Sequence, residues 1–200
     1  MKYVICSIGH TAAGKTTTLK KISSKLGISF ISEGTIKRSL VGESFGVNNS
    51  MDEELRSRGY RIAIDKAFEV LQTEDAVIID ASFHQAFRRK WVYETAKNNG
   101  LSDIIFVWVY CFCDDIDAVR ERIDERARAK VVTADIQARS MQVYTYTMST
   151  FDAVSMNDFP IEEKSLIIFN NTNKGMIEKL EFNMENKYAY IEEIVGAIYG

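Results

Sequence analysis

Proline occurs once in this chain of 200 residues, and no Gly/Ser-rich or low-complexity run interrupts it. Linkers are made of such material, so its lack argues for one domain over 1–200 rather than two tethered units. Cysteine occurs three times, an odd number that does not suit a disulfide framework. Cys6 and Cys111 sit in apolar runs and read as buried thiols, and the "CFC" at 111–113 has neither C-x-x-C spacing nor a second cluster to complete a zinc site. Histidine is confined to His10 and His84, and no Ser or Cys arrangement recommends either for a hydrolytic triad. Long apolar runs are missing too. The longest, "IIFVWVYCFC" at 104–113, is half of the roughly 20 residues that a helix needs to cross a bilayer. The first residues carry no leader-like pattern, and a reducing cytoplasm is the expected location. Positive charge is not in excess either: 25 Lys and Arg face 28 Asp and Glu, a net charge of −3. That balance gives no bulk reason to bind nucleic acid and favours a small partner.

What is present is a regular alternation. Short β-branched runs recur at 3–8, 28–32, 76–80, 104–110 and 165–169, and helical spacing occupies 52–72, 84–98, 114–129 and 134–150. Near-continuous apolar strands between helices predict a three-layer α/β domain on about five parallel strands. The tail "NKGMIEKLEFNMENKYAYIEEIVGAIY" reads as mostly helical. In such sheets ligands lie outside the carboxyl ends of the strands, so those ends hold the candidate site.

After strand one comes "GHTAAGKTTT", which fits G-x-x-x-x-G-K-[ST]. Gly9, His10, Thr11, Ala12, Ala13 and Gly14 would wrap a phosphate chain with backbone N–H groups while a helix points its positive end at the anion. Lys15 would reach the β- and γ-phosphates, the Thr16 hydroxyl would hold Mg2+, and Thr17 would donate to the α-phosphate. After strand three comes Asp80, placed to hold Mg2+ through water or to orient a hydroxyl, unless it caps the helix starting near His84. Glu33 closes strand two. It is a candidate base for a substrate hydroxyl, with Arg38 a candidate partner for an anionic group; an N-terminal helix carboxylate and a solvated basic face explain the pair equally well. Arg122 and Arg126 share a helix face and would clamp donor phosphates, or equally belong to an exposed, salt-bridged helix. Tyr144, Tyr146, Phe151 and Phe159 read as core rather than as stacking platforms. The segment 41–61, where acceptor specificity belongs, has no readable motif.

"GHTAAGKTTTLKKIS", "VIIDASFHQAFRRKWVYETAKNNG" and "VYCFCDDIDAVRERIDERA" together resemble the P-loop kinases of the AAA-like group: polynucleotide 5′-hydroxyl kinases, zeta-toxin-type kinases, gluconate kinases and chloramphenicol phosphotransferases. The resemblance spans about residues 1 to 155. It implies a P-loop NTPase fold of nucleoside-kinase type with sheet order 2-3-1-4-5 and a helical, arginine-bearing lid at about 114–135. It implies ATP with Mg2+ as donor and a kinase that phosphorylates a hydroxyl of a small-molecule or nucleotide-like acceptor. The alternatives are a polynucleotide 5′-hydroxyl kinase and a regulatory ATPase. Gly14, Lys15, Thr16, Asp80, Arg122 and Arg126 match the group's positions. Members often end strand two with Asp and place Arg three residues on, whereas Thr35 precedes Arg38 here, so Glu33 and Asp80 both remain candidates for the base.

Overall fold

The computed structural model describes residues 1–41, 53–128, 141–160, 164–182 and 189–199. Six strands form one sheet in the order β2-β3-β1-β4-β5-β6. They are β1 (Lys2–Ile8), β2 (Ser29–Ser32), β3 (Ala76–Asp80), β4 (Ile104–Phe112), β5 (Lys164–Asn171) and β6 (Met176–Phe182). The first five pair in parallel, with Ile5 of β1 opposite Ile78 of β3 on one side and Val107 of β4 on the other.

Alternation along the strands loads both faces. Val4, Cys6, Ile8, Phe106 and Trp108 point into a core closed by helices α2 (Glu33–Val41), α3 (Glu53–Val70) and α4 (Ala86–Asn98). Ile5, Ile78, Val107 and Val109 point the other way, against α1 (Lys15–Leu26) and α7 (Ala189–Tyr199). Leu19 and Ile22 of α1 are fully buried. Each contributes about 1.5–3 kcal/mol by leaving water, which fixes the direction in which the amino end of α1 points. A third, small cluster joins Ala12, Cys113, Val119 and Ile123, and so seats α5 (Ile116–Arg128) on the loop after β1. Helix α6 (Met141–Ser149) packs beside it through Met141 and Tyr144. The three cysteines are free and buried. Among the described residues no helix is long and apolar enough to cross a membrane.

Two expectations need correction. The tail is not mostly helical: a turn at 172–175 folds it back as β6, antiparallel to β5, so the sheet has six strands and ends in one antiparallel edge. A register irregularity at Phe169/Asn170 explains the misreading. The bulge puts Ile177 (opposite Asn170) and Leu180 (opposite Ile168) on one face, three residues apart, so an apolar spacing typical of helices arises in a strand. Glu33 does not close β2 either; it opens α2. The segment 42–52 and the stretch 129–140, including the expected lid apex and the start of the helix expected at 134, lie outside the described residues.

Candidate active site

Gly9 and Gly14 make the turn after β1 sterically feasible. A Cβ on Gly9 would stand 2.2 Å from the Cys111 carbonyl oxygen, and φ there is +149°. Gly14 sits at φ 81° as the N-cap of α1, with no side chain capping that end and no acidic residue in the first turn. The orphan N–H groups of the first turn are therefore left for an anion, and the helix dipole favours one there. Lys15 folds back over the loop, its Nζ donating to the His10 carbonyl at 2.7 Å. Burial pushes its ammonium down to about 8; Asp80 pulls the other way, while Arg126 and Lys37 add to the fall. His10 is held neutral, chiefly by burial and further by Lys15 and Arg122. Its Nδ1 donates to Thr11 O at 2.7 Å and its Nε2 accepts the Cys113 N–H at 3.4 Å, which tacks the loop onto the end of β4.

Parallel pairing brings the carboxyl end of β3 beside this loop. Thr16 Oγ1 donates to Asp80 Oδ2 at 2.8 Å, and Asp80 is 7% exposed. An oxygen-only pair of this kind suits Mg2+. Among the described residues no three His, Cys, Asp or Glu side chains group into a metal site. A cation here would therefore need oxygens from a phosphate ligand as well. Glu33, at the start of α2, is 4% exposed and its Oε1 lies 2.7 Å from Lys37 Nζ. The cation at Glu33 is thus Lys37, one turn on, while Arg38 lies half-buried beside it on α2.

On the opposite side of the loop Arg122 reaches inward from α5. Its Nη1 donates to Ala12 O (3.2 Å) and Thr172 Oγ1 (3.1 Å), and its Nη2 to Thr172 O (3.3 Å). Arg126 is half-buried one turn further along; burial and then Arg122 lower its affinity for a proton. Two guanidinium groups that disfavour each other are a standing invitation to an anion. Thr11 and Thr17 stand at the loop as half-buried and exposed residues respectively, and Ala13 is fully buried. The structure therefore brings Lys15, Thr16, Asp80, Arg122 and Arg126 around one loop, and sets Glu33 and Lys37 on its β2 side. Phe159 and Phe151 pack with the core, whereas Tyr144 meets the His10 ring edge-on at 5.2 Å and Tyr146 is 40% exposed.

Three features escape a reading of the sequence. Thr172 follows β5 just as the loop follows β1, and the rule about strand ends applied to the fifth strand would have found it. Gly59 lets α3 approach closely: a Cβ there would lie 2.6 Å from Lys37 Cγ and 3.3 Å from Glu33 Oε1. An isolated glycine inside a helical pattern was its signal. The third is a partly buried chain from Tyr60 OH to Ser82 Oγ (2.6 Å), on to His84 Nδ1 (2.8 Å), and from His84 Nε2 to Thr150 Oγ1 (3.2 Å).

Comparison with known proteins gives this arrangement a family. Residues 4–150, well over half of the chain, match the model of the AAA domain. Among solved structures the fold is similar to that of a sugar kinase from Janibacter sp. HTCC2649, at 15% identity over 84% of this chain and 85% of that one, TM-score 0.57. It is also similar to a gluconokinase from Sinorhizobium meliloti 1021, at 12% identity over 98% and 90%, TM-score 0.57. A fungal RNA kinase matches at 12% identity over 96% and 82%, TM-score 0.56. Among curated protein sequences none matches the chain.

Proposed function

The chain belongs to the AAA domain family and has the fold of the P-loop kinases, and on that premise we propose that it transfers the γ-phosphate of ATP to a hydroxyl of a small-molecule or nucleotide-like acceptor. The observation that carries this reading is the uncapped amino end of α1, opened by Gly14 and faced by Lys15, with Thr16 bound to Asp80 beside it. Gly9 to Thr17 would cradle the phosphates, and Lys15, Arg122 and Arg126 would neutralise the charge that spreads over the transferred group. Thr16 and Asp80 would hold Mg2+, which when bound supplies charge neutralisation between the phosphates.

In the reaction the acceptor oxygen forms a bond to the γ-phosphorus, the bridging P–O bond breaks with its electron pair leaving on ADP, and the hydroxyl proton moves to a base. Asp80 is engaged by the Thr16 hydroxyl, so we assign the proton to Glu33, with Lys37 holding its carboxylate in place. Our lid is the arginine-bearing stretch at about 114–135, of which α5 is the described part, in a single kinase domain over 1–200; its closure would exclude water when the acceptor is bound. Three free thiols support a reducing compartment, and we place the protein in the cytoplasm.

The test is transfer of label from γ-labelled ATP with Mg2+ into a panel of sugars, sugar acids, nucleosides, antibiotics and 5′-hydroxyl oligonucleotides. Label in an acceptor, lost in Lys15→Ala, is the expected result. Glu33→Gln should lower kcat by about 10²–10⁴-fold, the usual worth of a general base, while nucleotide binding survives. Sustained ATP hydrolysis with no acceptor labelled would point to a regulatory ATPase instead.

A further inference from the structure

The donor side uses Lys15, Arg122 and Arg126, and this leaves a second set of cations with no task. Two elements bring it together, α3 with Arg56 and α4 with Arg88, beside the neutral His84 in the turn after β3. Neighbouring Arg89 is the instructive contrast. It is fully buried, but one arm donates to Phe83 O and the other to Ala153 O, both at 3.0 Å, so it is a staple between two chain segments. Arg88 is 2% exposed and is held differently. Its guanidinium lies 4.4 Å from the Tyr60 ring centroid and 5.3 Å from that of Phe87, and its Nη2 pairs with Glu53, a side chain half exposed to water. Its Nε is buried and makes no hydrogen bond among the described residues, which is equally true of Arg89. The two differ in what their terminal nitrogens hold: two backbone carbonyls, with Asp158 at 3.7 Å, for Arg89, and a water-facing carboxylate for Arg88. Arg56 repeats the pattern: its guanidinium stands 4.7 Å from the Tyr146 ring centroid, and its Nε is buried with no partner among the described residues.

His84 marks where these charges converge. It is 4% exposed and bonded through both ring nitrogens. Burial first, then the charges of Arg88, Lys15 and Arg56, push it down to about 3; Asp152 opposes them. The imidazole is neutral, and three cations, Arg88, Lys15 and Arg56, act on it against Asp152. The place is tied to the phosphate loop, because Gly9 N–H donates to Ser82 O at 3.1 Å and Thr11 Oγ1 meets Thr147 Oγ1 at 3.3 Å. Guanidinium groups held against aromatic faces with donors left over are the usual means of binding a carboxylate or a phosphate. Arg88 already has Glu53 as a counter-ion, on a carboxylate shared with water, whereas Arg56 has no carboxylate partner among the described residues; a ligand anion would complete the charge balance at Arg56.

We propose that the phosphate acceptor is itself an oxyanion, carrying a carboxylate or phosphate that seats on Arg56 and Arg88 beside His84 while its hydroxyl faces Glu33. This deepens the kinase reading and rests on it. The acceptor class is therefore charged small molecules such as sugar acids, phosphorylated sugars or nucleotides, rather than neutral sugars or nucleosides.

Matched pairs of acceptors test it: gluconate against glucose, ribose 5-phosphate against ribose, and a nucleoside 3′-phosphate against the nucleoside. We expect the charged member of a pair to be favoured by about 100-fold in kcat/KM, with the carboxylate and phosphate arms telling the two sources apart. Arg56→Gln should raise the KM for that member at least about tenfold and shrink the preference, leaving the KM for ATP in place. Equal labelling of neutral and charged members would overturn the proposal while leaving the kinase reading intact. A second measurement does not need turnover: calorimetric titration of inorganic phosphate onto protein saturated with a non-hydrolysable ATP analogue and Mg2+. Phosphate binding weakened about tenfold or more by Arg56→Gln supports the site; no binding, or binding indifferent to the substitution, overturns it. Failure of the analogue itself to bind counts against the kinase reading, and the phosphate titration then proceeds on Lys15→Ala with and without Arg56→Gln, so that only the Arg56-dependent part of the binding is scored. Arg88→Gln is the companion variant, with Arg56→Gln decisive because Arg56 is only half-buried.

Discussion

At the scale of single residues, Lys15 governs how the site responds to pH. In the free protein burial sets its ammonium at about 8, with Arg126 and Lys37 nearby. Triphosphate oxygens favour the charged form, so the value rises when a nucleotide binds. The sign follows: below about pH 8 the lysine is already protonated and affinity is flat. Above it the free protein must take up a proton to bind. Affinity for ATP should therefore fall as pH climbs past 8, by up to about tenfold per unit, since one unit corresponds to about 1.4 kcal/mol between protonation states. Titration calorimetry at pH 8.5 in two buffers of different ionisation enthalpy should report net proton uptake, and the same pair of buffers should agree for Lys15→Arg. Uptake of no protons by the unmodified protein would mean that Lys15 does not meet the phosphates. His84 adds no limb between pH 5 and 8, because it is neutral throughout that range.

At the scale of elements, the strands and the loop after β1 were legible because their signals are local. A β-branched run, two glycines at fixed spacing and a helical repeat each need only neighbours in sequence. The runs at 76–80 and 104–110 became strands over Ala76–Asp80 and Ile104–Phe112, and 165–169 grew by a residue or two at each end. What was not legible depends on pairing across the chain. β6 hid behind a bulge, although Asn173-Lys174-Gly175 between two apolar runs was a hairpin signal. The role of Thr172 needs α5 beside β5, and Arg56 with Arg88 needs α3 beside α4; neither neighbourhood is written in local spacing. The start of α4 is another such long-range arrangement. Gln85 gives that helix no side-chain cap, and the Ala86 N–H donates to Asp152 Oδ2 from beyond α6 at 2.6 Å. Asp152→Ala should cost about 1 kcal/mol, as loss of a cap usually does, and lower Tm by about 2–4 °C for a chain of this size. Thermal unfolding followed by circular dichroism checks it, and an unchanged Tm would mean that water replaces the carboxylate without loss.

At the scale of the whole molecule the informative quantity is where the charge lies rather than how much there is. The chain is acidic overall, yet Arg126 and Lys37 act on Lys15, Arg122 acts on Arg126, and Arg88, Lys15 and Arg56 act on His84, so these cations gather at the carboxyl edge of one sheet. The parallel topology produces this, since it delivers the ends of β1, β2, β3 and β4 and the helices after them to the same edge. A positive edge draws in small anions, while a net charge of −3 gives a long polyanion no bulk attraction beyond that edge. The prediction is quantitative. With a 5′-hydroxyl nucleotide as acceptor, extending it from one 3′-phosphate to a ten-residue strand should leave kcat/KM within about threefold. Each single-strand phosphate neutralised contributes about −0.7 to the slope of log K against log salt, so the slope should be near that of one or two contacts at every length. Binding measured by fluorescence anisotropy between 50 and 300 mM salt separates the outcomes. A slope that steepens with strand length would reveal a polynucleotide groove continuing past Arg56 and Arg88, and the acceptor would then be the end of a nucleic acid.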